Sequence, residues 1–137
     1  MYNERLEHNL ISPDIVSIMQ DYVSIQLDLD ETKVKASAIT AQNIDLERNL
    51  TKDNLKRVIT PETTADEELR EIVIPSWCYY TYYRLLKGFQ GSLTDGGYMI
   101  EGEAESRNEA KSAANEAYSI AESYIQKALD FLKAEDP

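Results

Sequence analysis

The chain has 137 residues, of which 25 are acidic and 14 are basic, so its formal net charge is -11. Phosphate binding needs clustered Lys and Arg, and no such cluster occurs in the sequence. The length and the hydrophobic content of 42% are those of one globular domain with a core of its own. These properties argue against a nucleic-acid-binding protein.

Neither a membrane span nor a secretory signal is expected. No apolar run approaches the roughly 18 residues that a span needs. The first ten residues have no basic region followed by an apolar stretch. Cys78 is the only cysteine, so no internal disulfide can form, and this favours a reducing compartment.

The N-terminal third of the chain predicts helices with one ambiguous stretch. We expect residues 1–11 to form an arm and residues 12–134 to form a single helical domain. Ser12 followed by Pro13 is a typical helix start. After Val23, apolar and polar residues alternate, which favours an extended segment. Residues 21–29 are therefore left open between helix and strand.

Asp30 is placed to cap the next helix, whose apolar residues fall on one arc. Gln42 lies within that arc, and we favour a buried amide bonded to a loop carbonyl over a ligand contact. Thr51 can cap a short helix that follows it. Thr64 and Glu67 have capping-box spacing, so a further helix should begin near residue 65. The core residues expected from the arc are Ala38, Ile39, Leu46 and Leu50.

The stretch from Ile72 to Gly97 is rich in aromatic residues and contains the only Trp. Pro75 should break or kink the helix before it, and a helix is expected from Pro75 to about Phe89. One face of this helix predicts further core residues: Cys78, Tyr79, Tyr82, Leu85, Leu86 and Phe89. Trp77, Tyr80 and Tyr83 fall outside that face, toward the polar side. Because one core face does not need this much aromatic surface, these three are candidates for a subunit interface.

All five glycines lie between Gly88 and Gly102. The sequence Asp95-Gly96-Gly97 between two apolar pairs predicts a hairpin turn that joins short strands, within a loop at about 91–105. An isolated hairpin is marginal in water, so it needs a packing partner. The interface candidates in it are Leu93, Thr94, Asp95, Tyr98, Met99 and Ile100.

The last element is a long helix. Ser106 and Glu109 form a capping box, and the helix should reach about Lys133 and leave residues 135–137 frayed. Its apolar arc predicts the core residues Ala117, Ile120, Tyr124, Ala128 and Leu132. The expected fold is mainly α: a helical bundle of about four to five helices with a long C-terminal helix and one small β-hairpin or extended loop.

Catalytic patterns are weak in this chain. The stretch Ile25–Thr32 (IQLDLDET) resembles the first motif of haloacid-dehalogenase-type phosphotransferases, in which one Asp is the nucleophile and the next acts beside Mg²⁺. That family also needs a parallel α/β sheet, and the remaining sequence predicts helices. A strand leading into an Asp-capped helix is the favoured interpretation of Asp28 and Asp30. His8 is the only histidine, and Cys78 has no metal-ligand spacing, so no cofactor is expected.

The order of elements resembles that of the head–tail connector (adaptor) proteins of tailed bacteriophages. The stretches that carry the resemblance are DETKVKASAITAQNIDLERNL, IVIPSWCYYTYYRLL, LTDGG and the long final helix with its apolar pair Phe131-Leu132. The residues after Leu50 depart from the usual pattern, in which a glycine and a Tyr-bearing turn often follow.

The resemblance implies a structural virion protein, not an enzyme. Copies would form a ring, commonly twelve-fold, between the portal protein and the tail or further connector proteins. The ring would continue the channel through which DNA passes without specific binding, and Phe131 and Lys133 would be candidates for portal contact. The host cytoplasm would be the place of assembly, and no membrane would be involved. Two other functions stay open: a helical accessory module that binds a protein through its aromatic face, and an Mg²⁺-dependent phosphohydrolase at Asp28 and Asp30.

Overall fold

The computed structural model describes residues 10–23, 31–95 and 101–135, with side chains for all of these except 88–95, 101–107 and 110. This part of the chain contains five helices and no strand. The bounds of α1, α3, α4 and α5 are Ile15–Tyr22, Lys52–Ile59, Thr64–Asp95 and Glu101–Glu135. Helix α2 consists of three consecutive segments, Glu31–Thr40, Ala41–Leu46 and Glu47–Leu50, and the middle one is a π-helix.

The mainly helical fold and the long C-terminal helix are thus confirmed. Helices α4 and α5 have 32 and 35 residues, which correspond to lengths of about 48 and 52 Å. None of the described helices combines the length and the apolar character that a membrane crossing requires. Of the ambiguous residues 21–29, the structure describes the first three: α1 ends at Tyr22 and Val23 is extended.

Two predicted helix caps differ in detail from the structure. The Thr51 hydroxyl does not cap α3. It accepts a hydrogen bond from the Asn54 amide at 3.3 Å, and the Thr51 backbone turns sharply with φ of 79°. A positive φ is strained for a β-branched residue, and here it separates α2 from α3. The cap of α4 is one residue earlier than predicted, since the Thr63 hydroxyl accepts from the Asp66 N–H at 3.1 Å.

Helix α4 runs through Pro75 without a break, so the residues before and after this proline form one helix and not two. Pro75 lacks an N–H, and polar groups near it are buried. The Ser76 hydroxyl donates to the Val73 carbonyl at 2.6 Å, and the Thr81 hydroxyl donates to the Trp77 carbonyl at 2.7 Å. These bonds let two fully buried hydroxyl groups stay within the helix beside the proline.

The predicted β-hairpin is also wrong where the structure describes it. Leu93, Thr94 and Asp95 belong to α4, and the acidic run that begins at Glu101 is the first turn of α5. Tyr98, Met99 and Ile100 lie outside the described residues. Helix elongation adds a backbone hydrogen bond with each residue. A glycine costs only about 1 kcal/mol in a helix interior, so the glycines at 88 and 91 do not end α4.

Helices α4 and α5 pack as an antiparallel pair. Tyr79 of α4 stacks on Tyr124 of α5 with ring centroids 5.9 Å apart, and Tyr83, further along α4, meets Tyr118, which is earlier in α5. The buried residues of α5 are small, apart from one isoleucine, and this lets the helices approach closely. These residues are Ala114, Ala117, Ala121, Ile125 and Ala128.

Trp77 and Tyr80 are fully buried, which corrects their predicted position toward the polar side of the helix. The Trp77 indole N–H donates to the Ala38 carbonyl of α2 at 3.0 Å. Helix α2 packs on one side of α4 and α5 packs on the other, so α4 is covered on more than one face. The aromatic residues on more than one face of α4 are therefore used for packing within the chain itself.

The other predicted core residues lie in or beside the core. Ala38, Leu46, Leu50, Cys78, Ala117 and Ala128 are buried. The half-buried members are Ile39, Tyr79, Tyr82, Leu85, Leu86, Ile120, Tyr124 and Leu132. The side chain of Phe89 lies outside the description.

Arg57 of α3 links the first turn of α4 to the last turn of α5. Its guanidinium donates to Asp66 of α4 at 2.6 Å and forms a bidentate pair with Glu135, the last residue of α5, at 2.8 and 2.9 Å. The hydrogen bonds from Arg57 are the main cause that lowers the pKa of both carboxyl groups. This cluster holds the C-terminal end of α5 against the rest of the bundle.

Replacement of Trp77 tests the buried contact between α2 and α4. Trp77→Phe removes the indole N–H, which leaves the Ala38 carbonyl without its donor, and it removes ring volume from a filled core. We expect a loss of about 2–3 kcal/mol in the free energy of unfolding, measured with urea. Tyr22→Phe, at a residue that is 41% exposed, is the control and should change the value by less than about 0.5 kcal/mol. An equal effect of both substitutions would contradict the assignment of Trp77 to the core.

The Arg57 cluster predicts a pH-dependent stability. Because the folded-state pKa values of Asp66 and Glu135 are lowered from 3.8 and 4.5, their contribution is complete above these values and is lost as the pH falls below them. Arg57→Gln should lower the Tm at pH 7, and the difference from the wild type should shrink below about pH 4.

Lys56→Gln, at the exposed neighbouring position, is the control for the loss of one positive charge. Thermal melts of the three proteins from pH 7 to pH 2 provide the comparison. A Tm difference for Arg57→Gln that stays constant over the whole pH range would show that the carboxylates do not contribute through this arginine.

Candidate functional site

The predicted interface residues of α4 are separated by the structure. Trp77 and Tyr80 belong to the core, whereas Tyr83 is half-buried beside the surface. The Tyr83 ring lies 5.1 Å from the ring of Tyr118, and the charged groups of Arg84 and Lys87 lie 6.0 and 5.7 Å from its centroid. The surface part of the aromatic helix is therefore a tyrosine with cations around it.

Asp45 is the buried charge on which this surface is built. Its side chain is 1% exposed, and its two carboxylate oxygens accept from Nε and Nη2 of Arg84, both at 3.0 Å. This bidentate pair links α2 to α4. Arg48, one turn further along α2, places Nη2 at 3.7 Å from the same carboxylate. A buried carboxylate needs such a partner, because desolvation of an unpaired charge costs several kcal/mol.

The π-helical segment of α2 contains Asp45. In the same segment Gln42 is buried, and its amide oxygen accepts from the Ile11 N–H at 2.8 Å. The expected buried amide is thus present, with a backbone N–H rather than a carbonyl as its partner in this bond. Asn49 follows one turn after Asp45 and donates to the Asp45 carbonyl at 2.8 Å and to the Tyr80 hydroxyl at 3.3 Å. These bonds fix the position of the Asp45 backbone.

An open cleft of about 390 Å³ lies above this salt bridge. We call it the arginine cleft, and its lining comes from three helices. The lining residues are Asp45, Arg48, Tyr83, Arg84, Asn115, Tyr118 and Ser119. The Tyr118 hydroxyl accepts a hydrogen bond from Arg48 Nη2 at 3.3 Å, so α5 and α2 meet across the cleft. Hydrogen bonding to Glu122 is the main cause that raises the pKa of Tyr118.

Cys78 does not have the properties of a nucleophile. It is fully buried, and desolvation raises the pKa of its thiol to about 12. A thiol with such a pKa carries almost no thiolate at neutral pH. The described residues also contain no group of three or more His, Cys, Asp or Glu that is arranged to hold a metal ion.

The remaining predicted residues fall in different places. Phe131 is half-buried against the core, and Lys133 is exposed near the end of α5. Asp28 and Asp30 lie outside the described residues, as do Tyr98, Met99 and Ile100. For Leu93, Thr94 and Asp95, the structure describes the helical backbone.

Sequence reasoning missed the two ion-pair clusters. Asp45 falls at the edge of the apolar arc of α2, next to Ala38 in a helical projection, where an acidic residue that becomes buried needs a cation from another element. That signal was available. The pairing of Arg84 with Asp45 over 39 positions depends on how the two helices pack. The Arg57 cluster gave no such signal, because its members come from α3, α4 and α5 and no sequence spacing relates them.

Residues 32–137 match a family of unknown function, DUF6712. The chain belongs to this family. The matched part includes all of the arginine cleft, the aromatic helix α4 and the whole of α5. No curated protein matches the chain, and no solved structure matches it.

Removal of Arg84 should expose the cost of the buried carboxylate. Arg84→Gln leaves Asp45 without its bidentate partner, and we expect a loss of about 2–3 kcal/mol in the free energy of unfolding. This is below the ~3–5 kcal/mol for a fully buried pair, because the Arg84 side chain is 31% exposed. The double variant Asp45→Asn/Arg84→Gln should recover at least half of that loss.

Arg48→Gln is the control, since Arg48 is 54% exposed and only approaches the carboxylate edge. It should cost less than about 1 kcal/mol. Urea unfolding of the wild type, Arg84→Gln, the single variant Asp45→Asn and the double variant completes a double-mutant cycle, with Arg48→Gln measured beside them. If the double variant loses as much free energy of unfolding as the two single variants lose together, then Asp45 and Arg84 do not stabilise each other.

Proposed function

We propose that the chain is a structural subunit of a phage head–tail connector and has no catalytic role. Copies form a ring, commonly twelve-fold in such proteins, between the portal protein and the tail. The ring continues the channel for DNA. The protein is a component of the virion and assembles in the host cytoplasm.

The observation that carries this proposal is the packing of the stretches that resemble connector proteins. The helix with the Ala41-Gln42 pair is α2, the aromatic helix is α4, and the final helix is α5. These three helices pack against one another through contacts such as Trp77 to Ala38 and Tyr79 to Tyr124. Three of the four stretches that carry the resemblance therefore belong to one packed unit, and this supports the proposal.

The charge of the chain supports the same function. A net charge of -11 repels phosphate, so a channel wall made of this protein would let DNA pass without binding it. DNA is then in transit only. The partners are other copies of the chain, the portal protein, and the tail or further connector proteins.

The end of the α4–α5 pair where α4 ends and α5 begins is the proposed region for assembly. Thr81 is the last fully buried residue described on α4, and the helix continues for 14 residues to Asp95, or about 21 Å. On α5 the first buried residue described is Ala114, which is about 20 Å from the start of the helix at Glu101. This end of the pair replaces the predicted hairpin as the proposed contact with neighbouring copies. The other end, with Phe131 and Lys133, is the proposed contact with the portal.

The accessory-module hypothesis loses part of its basis. It needed Trp77, Tyr80 and Tyr83 as one binding face, and two of the three are buried in the core.

The experiment that tests the connector function is a mass measurement with imaging of the purified protein, alone and with a portal ring. We expect the chain to bind at one end of the portal as a closed ring. Monomers in isolation are compatible with the proposal, since a ring can need the portal as a template. A chain that never associates with such a portal ring would exclude the connector function.

A second assay separates a structural role from phosphohydrolase activity. The wild type and Asp28→Asn are incubated with a generic phosphoester and Mg²⁺, and released phosphate is measured. We expect no turnover by either protein. Turnover that disappears in Asp28→Asn would establish the phosphohydrolase and contradict the structural role.

A further inference from the structure

The arginine cleft holds more hydrogen-bond donors than acceptors. Each guanidinium has five N–H groups. Arg84 uses Nε and Nη2 on Asp45, and its Nη1 has no acceptor among the described residues. Arg48 uses Nη2 on Tyr118 and Asp45, and its Nε and Nη1 likewise have no acceptor in the described part of the chain. The 54% exposure of Arg48 leaves these groups accessible from the cleft.

Neutral donors line the opposite side of the cleft. Asn115 and Ser119 are one helical turn apart on α5, and both are exposed and line the cleft. The tyrosine rings of positions 83 and 118 form its walls. A volume of about 390 Å³ is large enough for a side-chain carboxylate with part of its backbone.

The charge of the cleft is opposite to that of the whole chain. Its lining has the two guanidinium groups against a single carboxylate, Asp45, which is 1% exposed. Lys87 adds a positive charge beside Tyr83. Glu122 is the nearby acidic group that contacts Tyr118, and it is engaged by the Tyr118 hydroxyl. The cleft therefore remains positive by one unit in a protein with a net charge of -11.

We propose that the arginine cleft binds a side-chain carboxylate of a neighbouring copy of this chain. The planar fork of a guanidinium matches a carboxylate, and Asp45 holds Arg84 in one orientation before the partner arrives. Asn115 and Ser119 supply the additional donors. This inference rests on the proposed ring, and it names the contact that joins its subunits.

Two observations favour a second copy as the partner. Copies that each carry 25 acidic residues repel one another, so an interface between them needs a cationic pocket to offset the repulsion. The cleft presents almost no carboxylate of its own, so two clefts cannot satisfy each other. The acid must come from a different surface of the neighbour, which makes the contact head-to-tail, the type of contact that forms a ring when the rotation between copies closes.

Charge reversal in the cleft tests the contact. Arg48→Glu is expected to weaken the association of copies by about tenfold to a hundredfold. Lys33→Glu, an identical charge change at an exposed position of α2 outside the cleft lining, should leave association unchanged. Both are compared on the portal ring by mass measurement. If the wild type does not bind the portal, the concentrated free chain is compared by sedimentation equilibrium. Portal binding by the wild type tests the connector function, and the effect of Arg48→Glu on the association of copies tests the cleft separately.

A cross-linking experiment identifies the acid without relying on a disruptive substitution. Arg48→Lys places a primary amine in the cleft, and a carbodiimide joins it to any carboxylate in contact. With mixed ¹⁵N-labelled and unlabelled copies, mass spectrometry shows whether the bond joins two copies. We expect one dominant link between copies from position 48. Gln20→Lys, at an exposed position of α1, is the control and should give none above background.

Several results would overturn the proposal. Association of Arg48→Glu as tight as that of the wild type, in a protein that its far-UV spectrum and Tm show to be folded, excludes the contact. The contact is also excluded if Arg48→Lys gives links only within one copy, or if neither Arg48→Lys nor Gln20→Lys gives a link between copies. Salt-sensitive binding of a duplex DNA fragment that is lost in Arg48→Gln would assign the cleft to phosphate instead.

Discussion

The burial of one carboxylate governs how the helices of this protein are arranged. Asp45 is 1% exposed on α2, and its charge is tolerable only because Arg84 of α4 meets both of its oxygens. That pair fixes the register between the two helices. The register determines where the aromatic side chains of α4 lie. Trp77 is inside and donates to the Ala38 carbonyl, and Tyr83 is half-buried at the surface.

The same ion pair also connects the core with the surface. Because Asp45 occupies only part of the Arg84 guanidinium, donors remain for an outside acceptor, and Arg48 adds to them. The result is a positive cleft in a strongly acidic protein. In the proposed connector ring, this cationic cleft would let acidic copies associate while the acidic charge elsewhere still repels DNA.

Much of the fold was predictable from local pattern. The helical class, the short helix after Thr51 and the long final helix follow from apolar periodicity and helix-start residues, which act over a few positions. The predicted hairpin was wrong because the glycines near residue 90 were interpreted as a helix end, whereas α4 continues through them to Asp95 and α5 begins at Glu101. Tertiary packing outweighs a local cost of about 1 kcal/mol for a glycine.

The sequence by itself determined that the chain is helical, acidic and aromatic-rich, since composition and periodicity are local properties. Only the tertiary structure decided which aromatic residues are inside. A helical projection assumes one buried face, and α4 is packed by α2 on one side and by α5 on another, so Trp77 and Tyr80 became core. The arginine cleft likewise exists only in the folded chain, because Asp45, Arg84 and Tyr118 come from three helices and no spacing along the sequence relates them.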